Sequence, residues 1–315
     1  MLLKAKINTN ERDNGENAKV KKKNLKLKGM KYVLDNISEN VFRLCAMVAV
    51  VSLITIIIFV FYKGLSPFLT GAYSPIDFIF GKKWVPSSGL FGIWPMILAS
   101  IYGTIGALLI GVPVGVMTAI FIAEIAPKKI AKVMSTGVEL LAGIPSVLFG
   151  VFALGVIVPG IQKGLNLPKG QSLLAVIIVL SIMMLPTIIT VAETSIRAVP
   201  KHYKEASLAL GASHIETIFK VILPACKSGL FTAIGLGLGR AIGETMAVIL
   251  VAGNSPIVPT SITNSIRPLT TNIAIEMGYA SGLHEEMLFA TGVVLFSFIL
   301  LLNLVLSKIS VKAGK

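Results

Sequence analysis

The sequence predicts an all-α protein with six transmembrane helices, and two observations support this. Hydrophobic residues make up 54% of the 315 residues and charged residues only 14%, with a mean hydropathy of +0.83, whereas a soluble domain is about a quarter charged. The apolar residues also form blocks of about twenty or more, the length that crosses roughly 30 Å of hydrocarbon. The fold class is therefore that of a polytopic helical membrane protein.

The six apolar blocks define the predicted spans. We place them at residues 41–62, 94–122, 134–158, 173–194, 228–254 and 287–306. The third block contains the run Gly143-Ile144-Pro145-Ser146, which predicts a broken helix at membrane depth, a feature tolerated where the backbone is packed in protein or lines a cavity. The fifth block is predicted to be one continuous helix.

The basic residues predict the orientation of the chain. The net charge is +14, and with both termini inside, 22 of the 29 Lys and Arg residues are cytoplasmic and six are outside, as the positive-inside rule requires. We therefore predict a polar basic cytoplasmic tail at 1–40, a membrane domain at 41–308 and a short cytoplasmic tail at 309–315. A cytoplasmic loop at 195–227 interrupts the membrane domain.

Neither the positive charge nor the two cysteines indicate a nucleic-acid or metal site. Nucleic-acid binding favours basic and aromatic residues interleaved on a folded surface, whereas the lysine run here lies in a polar tail that we expect to be mobile. Cys45 and Cys226 fall in a predicted span and in the cytoplasmic loop. We therefore expect no nucleic-acid partner, no disulfide and no metal site.

Two charged residues, Arg240 and Glu244, lie at the centre of the fifth predicted span, beside Gly235, Gly239 and Gly243. A central Arg costs roughly 2.5–3.5 kcal/mol on insertion, so these groups are expected to serve a partner, a pore or a substrate. At four residues apart they would share a helix face, where an internal ion pair is one interpretation. The glycines are predicted to allow close helix packing.

The cytoplasmic loop at 195–227 predicts a helix, a turn and a second helix. It contains Glu205-Ala206-Ser207, then Gly211, and thirteen residues later Pro224. Gly211 suits a turn that needs positive φ. Glu205 is expected at the start of the first helix, where an acid suits the helix dipole or a basic partner. From these residues alone, an ordinary amphipathic loop remains an alternative.

This loop resembles the EAA loop of bacterial ABC importer permeases, which reads Glu-Ala-Ala, three residues, Gly, nine residues and Ile-x-Leu-Pro. Ser207 replaces the second Ala and Val221 the Ile. The matching residues are Glu205, Ala206, Gly211, Leu223 and Pro224. The resemblance implies a type I ABC importer permease fold and a coupling helix that docks in a groove of a cytoplasmic ATPase.

That resemblance also implies that the ATPase partner binds and hydrolyses ATP. The sequence contains no G-x-x-x-x-G-K-[ST] phosphate-binding loop. The glycine run at 235–239 is not preceded by a strand and lies inside an apolar span, so helix packing explains it better than nucleotide binding. We therefore expect this chain to be no enzyme and to hold no cofactor.

Further runs resemble the permeases of the Pst phosphate importers. They lie at residues 139–146, 240–245 and 272–277, and runs at 84–86 and 91–93 resemble the PstC-type subunit more than its PstA-type paralogue. The resemblance covers about residues 40–308. It implies a multi-pass protein of the bacterial cytoplasmic membrane that forms half of the path of an ATP-driven phosphate importer. The implied partners are a PstA-type permease, two ATPase copies, an extracytoplasmic phosphate-binding protein and the lipid bilayer.

The family resemblance further implies that the charged pair takes part in transport, with Arg240 as the positive element of a way-station for the anion. The planar fork of Arg suits phosphate oxygens. Glu244 would accept a hydrogen bond from the proton that phosphate keeps near neutral pH and sulfate lacks, or would hold Arg240 in place. Further candidates for the path are Thr245, Ser146, Glu139 and Glu193, each with a plain structural role as the alternative.

Three other functions stay open on the sequence. The first is a permease for another oxyanion, such as sulfate or molybdate, on the same scaffold. The second is an ion-driven secondary carrier or channel independent of ATP, which an inverted repeat would support; none is evident. The third is a membrane sensor of phosphate.

Overall fold

The computed structural model describes the backbone of residues 2–314 and the side chains of residues 35–306 and Lys308. The chain divides into two compact units, Met1–Phe59 and Val60–Lys315. Helix α1 (Leu2–Leu69) forms the first unit and ends in the second, which holds all further helices. The tails predicted at 1–40 and 309–315 lie mostly outside the described side chains and stay predictions.

Five helical segments of the described residues are long and apolar enough to cross a membrane. They are Asp35–Leu69, Trp94–Ile125, Ser146–Gly164, Leu173–Arg197 and Leu283–Leu306. A sixth is reached if the segments His214–Ala225 and Lys227–Gly243, bent by 73° against each other, count as one span. This agrees with the predicted all-α membrane fold, and the differences lie in the third and fifth spans.

The third span begins later than predicted. Helix α4 (Lys128–Gly143) is separate, Ile144 is extended with φ −72° and ψ 128°, and α5 (Ser146–Phe152) starts after Pro145. The span continues through a π-helical turn at Ala153–Ile157 into α6 (Val158–Gly164). The break is as predicted, because a residue before proline is driven out of the helical region.

The fifth span is not the continuous helix that the apolar block predicts. Helix α11 (Lys227–Gly243) ends before Glu244, which is extended with φ −68° and ψ 129°, and α12 (Met246–Val251) follows. The Thr270 hydroxyl donates to the Glu244 carbonyl over 3.0 Å. This distant partner satisfies a backbone group that the helix break frees, which is the condition for irregular backbone at membrane depth.

A ridge of small residues packs α3 (Trp94–Ile120) against α7 (Leu173–Arg197). A Cβ added to Gly111 would lie 2.6 Å from Met184 Sδ, and one added to Gly115 would lie 2.8 Å from Ile188 Cγ2. A larger side chain at either position would force Met184 or Ile188 of α7 to move. Close approach of small residues is the usual basis of helix packing in membranes, and α7 is accordingly the central helix of the domain.

The glycines predicted to pack α11 only partly do so within this chain. A Cβ at Gly235 would meet Leu306 at an ordinary 3.6 Å, and at Gly239 and Gly243 no described atom of the chain lies within 4 Å. Gly237, which belongs to the glycine run predicted to serve helix packing, is the close contact, since its Cβ would lie 2.7 Å from Ile188 Cγ1. The packing role of Gly239 and Gly243 stays a prediction about a face that this chain leaves open.

A group of short helices and strands packs around the starts of α3 and α14 (Leu283–Gly314). It comprises α2 (Pro75–Phe80), an antiparallel pair of β1 (Trp84–Val85) with β2 (Leu90–Phe91), and α13 (Leu269–Glu276). Their apolar core consists of Phe78, Trp84, Phe91, Ile93, Met96, Leu269, Met287, Leu288 and Ala290. By the predicted orientation these elements lie on the outer side of the membrane.

Candidate functional site

Arg240 lies near the end of α11 and has no carboxylate partner among the described side chains. Its nearest polar contact is Thr187 of α7, whose hydroxyl lies 3.5 Å from Arg240 Nη1. None of the ion pairs that the described side chains form includes Arg240. The internal pair with Glu244, one of the two interpretations of the sequence, is therefore wrong. Glu244 lies beyond the end of the helix and does not share its face.

Glu244 instead belongs to the start of α12. Its Oε1 accepts a hydrogen bond from the Ala247 backbone N–H over 3.1 Å, and a negative charge is favourable at a helix N-terminus. Thr245 lies in the break, with its hydroxyl 3.2 Å from the Gly243 carbonyl. The break therefore presents a guanidinium without a carboxylate partner, a carboxylate and a hydroxyl within a short stretch of chain.

Two of the three remaining candidates for the path, Ser146 and Glu139, lie on the helices that flank Pro145. Ser146 is the first residue of α5, and Glu139 is exposed on α4. Helix α5 packs on α12, because a Cβ at Gly150 would lie 2.8 Å from Ala247 Cα. This contact brings the two broken spans together. No hydrogen bond or ion pair among the described residues joins Ser146 or Glu139 to Arg240.

The loop that we predict to be cytoplasmic forms the expected helix, turn and helix. Helix α8 (Lys201–Ala209) is followed by Gly211 at φ +88°, and Ser213 and Glu216 form a capping box for α9 (His214–Thr217). A π-helical turn at Ile218–Ile222 and the short α10 (Leu223–Ala225) complete it. We call residues 201–225 the coupling knob.

Two details of the coupling knob differ from the sequence interpretation. Glu205 is the fifth residue of α8 and not at its start, so it does not cap the helix dipole. Ser207, a departure from the EAA pattern, places its hydroxyl 2.9 Å from that of Thr217 and so fastens α8 to α9. Leu210, at the tip, is 89% exposed, which leaves an apolar contact for another protein.

A set of contacts that the sequence did not predict joins the coupling knob to the end of α3. Lys204 pairs with Glu124 at 2.5 Å, and His214 Nε2 hydrogen-bonds to the Glu124 carbonyl at 3.1 Å. Arg197, which also pairs with Glu193 at 2.9 Å, donates to the Ile122 carbonyl. Both carbonyls belong to the π-helical turn Phe121–Ile125. We call these residues the inner joint. They give Glu193 a structural role.

A buried charged group among the outer elements was also missed. Glu276 Oε1 lies 2.6 Å from Arg267 Nη1, while its Oε2 accepts hydrogen bonds from Trp84 Nε1 at 2.7 Å and His284 Nε2 at 2.8 Å. We call these four residues the outer cluster. A slight burial raises the pKa of the neighbouring Tyr279 hydroxyl, and the Glu276 charge adds to the shift. The only sequence signal was the resemblance of the run at 272–277.

The chain is similar to known membrane transport proteins. Residues 111–312 match the family described as "Binding-protein-dependent transport system inner membrane component". The chain is 40% identical over 272 residues to the probable ABC transporter permease protein YqgH of Bacillus subtilis (strain 168), covering 84% of this chain and 88% of that protein. It is 34% identical to the phosphate transport system permease protein PstC of Pasteurella multocida (strain Pm70), covering 70% and 75%.

Solved structures show the same fold. The inward-facing MetNI methionine ABC transporter matches with a TM-score of 0.54 and 21% identity, over 71% of this chain and 95% of that chain. A bacterial ABC transporter involved in the import of the acidic polysaccharide alginate matches with a TM-score of 0.55 and 17% identity, over 85% and 96%. At these identities the likeness concerns the fold alone.

Proposed function

Because this chain belongs to the family of binding-protein-dependent transport system inner membrane components, we propose that it is the PstC-type permease of a phosphate importer. Its fold is that of type I ABC importer permeases, and it is a multi-pass subunit of the bacterial inner membrane, not an enzyme. Such a permease works with another permease, an ATPase and a binding protein. An ATP-independent carrier does not fit this family.

The finer assignment concerns the partners and the cargo. We propose a PstA-type permease as the second membrane subunit, two ATPase copies that bind ATP, and an extracytoplasmic binding protein for phosphate. Relatives named as phosphate transport permeases support phosphate as the cargo, at 34% and 35% identity and each over 70% of this chain. The chain itself would then hold no cofactor.

The observation that carries the proposal is the guanidinium of Arg240, which lies at a break in a membrane helix without a carboxylate partner among the described side chains. Its polar contact is the long one to Thr187, so most of its five N–H donors are available. A buried or half-buried charge without a partner is costly, and an anion that visits the break would remove that cost. A bidentate contact between Arg and a phosphate group suits this geometry.

Glu244 supports phosphate over sulfate. Its Oε1 is engaged by Ala247, whereas no hydrogen bond of the described residues reaches Oε2. That oxygen can accept a hydrogen bond from the proton of a hydrogen phosphate ion, and it would repel the fully ionised sulfate. A sulfate or molybdate permease therefore remains the alternative that this carboxylate disfavours.

The link to ATP hydrolysis follows the chain from the coupling knob to Arg240. Helix α10 ends at Ala225, and α11 begins two residues later and carries Arg240 in its last turn. We propose that the exposed Leu210 end of the coupling knob docks on the ATPase. A movement of the coupling knob would then turn α11 and shift the guanidinium at the break.

The test is Arg240→Gln in proteoliposomes that contain both permeases and the ATPases, supplied with the binding protein. We expect phosphate uptake to fall about tenfold to hundredfold, the range for losing charged hydrogen bonds, with unchanged amounts of assembled complex. Arg43→Gln is the matched control, because Arg43 is exposed and pairs with the exposed Glu39, and it should transport normally.

Two outcomes would contradict the proposal. Normal uptake in the Arg240→Gln variant would exclude Arg240 from the path. Stronger competition by sulfate or molybdate than by unlabelled phosphate in the parent complex would identify another oxyanion as the cargo. A third measurement omits ATP. An importer of this family should then accumulate no phosphate in the proteoliposomes.

A further inference from the structure

The outer cluster contains a buried ion pair between Glu276 and Arg267. The Glu276 side chain is only 6% exposed and that of Arg267 only 15%, and Trp84, which donates to Glu276, belongs to the apolar core of the same elements. Replacing a buried ion pair by apolar residues of similar size is often neutral or stabilising. Stability alone therefore does not explain why charges are placed here.

Two buried polar atoms beside Arg267 have no hydrogen-bond partner among the described residues. They are Asn272 Nδ2 and Asn254 Oδ1, and both residues also contact Arg267, which donates to Asn272 Oδ1 and to the Asn254 carbonyl. An unsatisfied buried polar group in a native structure calls for an explanation, such as stored strain or a functional role. The Asn254 carbonyl and Asn272 Oδ1 thus orient the Arg267 guanidinium within the cluster through the hydrogen bonds that they accept.

Helix α13 connects this cluster to the candidate site. Glu276 is its last residue, and at its other end the Thr270 hydroxyl donates to the Glu244 carbonyl over 3.0 Å. The Leu269 backbone N–H also donates to Ser100 of α3. Thr270 and Glu276 lie about 9 Å apart along the helix axis. Helix α13 therefore connects the Glu276 carboxylate to the helix break at Glu244.

We propose that Glu276 is a positioning residue for transport, which acts through α13 and Thr270 to hold the backbone break at Glu244 beside Arg240. Glu276 does not touch the anion. It anchors one end of α13 to Trp84, Arg267 and His284, and the other end then presents the Thr270 hydroxyl to the freed carbonyl. The inference rests on the proposed function of the break, and its geometry can be tested separately.

The test compares Glu276→Gln, Thr270→Val and their combination in the reconstituted complex. Glu285→Gln is the matched control, because Glu285 lies at the same end of the molecule and makes no side-chain hydrogen bond among the described residues. We expect each single variant to lower phosphate uptake about tenfold, and the double variant to fall little further, because coupled residues are non-additive. The control should stay within about twofold of the parent.

A second readout separates positioning from simple loss of fold. The rate at which a maleimide labels Thr245→Cys, measured above the background of Cys45 and Cys226, should change in both the Glu276→Gln and Thr270→Val backgrounds. Equal amounts of assembled complex are compared, and their basal ATP hydrolysis should match that of the complex that carries Thr245→Cys alone. A structural role alone would lower the amount of complex and leave the labelling of the assembled fraction as it was.

The outcomes are distinct. Unchanged uptake in Glu276→Gln, or unchanged labelling at position 245, would overturn the positioning role. Arg240→Gln is measured alongside: if it abolishes uptake while both new variants transport normally, the positioning role fails and the proposed path stands. If Arg240→Gln transports normally while Glu276→Gln alters the labelling, the proposed path fails and the positioning of the break stands.

Discussion

The inner joint and the outer cluster both fasten loops to the membrane helices, but they use charge differently. In the outer cluster the Glu276 side chain is 6% exposed and receives three hydrogen bonds. In the inner joint the carboxylate side chains of Glu193 and Glu124 are 16% and 12% exposed, and their partners Arg197 and Lys204 are 49% and 34% exposed, against 15% for Arg267. Two further contacts of this joint go to carbonyls of a π-helical turn. Water can replace a contact of the inner joint more easily than one of the outer cluster.

This difference indicates different mechanical roles. A buried charge must keep its partner, because losing it leaves an uncompensated ion in a low dielectric, so the outer cluster should stay closed during transport. Exposed pairs contribute little and exchange readily with water. The ion pairs of the inner joint can therefore break and re-form when the coupling knob moves, without a large change in the stability of the protein.

The largest expected effect is on the outer cluster. Glu276→Ala should destabilise the protein by about 3–5 kcal/mol, since it leaves Arg267 buried without its carboxylate. Thermal unfolding of the purified chain in detergent would measure this. A loss below about 1 kcal/mol would show that water reaches the cluster and would remove the contrast with the inner joint.

The next effect concerns the turn of the coupling knob. Gly211 has φ +88°, a conformation that costs a residue with a Cβ about 1–2 kcal/mol. Gly211→Ala should therefore shift the knob and lower the uptake per ATP hydrolysed in the reconstituted complex. Gly137→Ala is the control, because it is helical and a Cβ there meets no described atom within 4 Å. Equal coupling ratios in both variants would argue against a fixed turn.

A smaller effect is expected from Ser207→Ala, which restores the residue of the EAA pattern. It removes the hydrogen bond to Thr217 and leaves that buried hydroxyl without this partner, at a cost of about 1 kcal/mol. Uptake should change by less than about threefold. Adding Thr217→Val should recover the lost thermal stability, and a further loss in the double variant would mean that the pair does not act as a unit.

The smallest effect is expected from Lys204→Gln in the inner joint. Its pair with Glu124 is partly exposed, so we expect the variant to lose less than about 1 kcal/mol of stability. The small difference in uptake between the variant and the parent should disappear at high salt. Uptake measured at low and at high ionic strength tests this. A large loss that salt does not change would mean that the inner joint is as rigid as the outer cluster.

Much of this protein could be predicted from local patterns. Spans depend on about twenty consecutive apolar residues, and the break at Pro145 and the turn at Gly211 depend on the backbone limits of single residues. The coupling knob was found by motif spacing. Whether the other path candidates contact Arg240 could not be predicted in this way: Glu139 lies on the separate helix α4 and Ser146 on α5, and neither has a polar contact to Arg240 among the described residues.

The sequence by itself determined the membrane class, the apolar spans, the coupling knob and Arg240 as the charge to explain, because each is a property of nearby residues. Only the tertiary structure decided the break at Glu244, whose carbonyl is satisfied by Thr270 26 residues away. It also decided the inner joint and the outer cluster, whose contacts span 80 residues from Glu124 to Lys204 and 192 from Trp84 to Glu276. Such partners are set by the packing of helices, which no local pattern encodes.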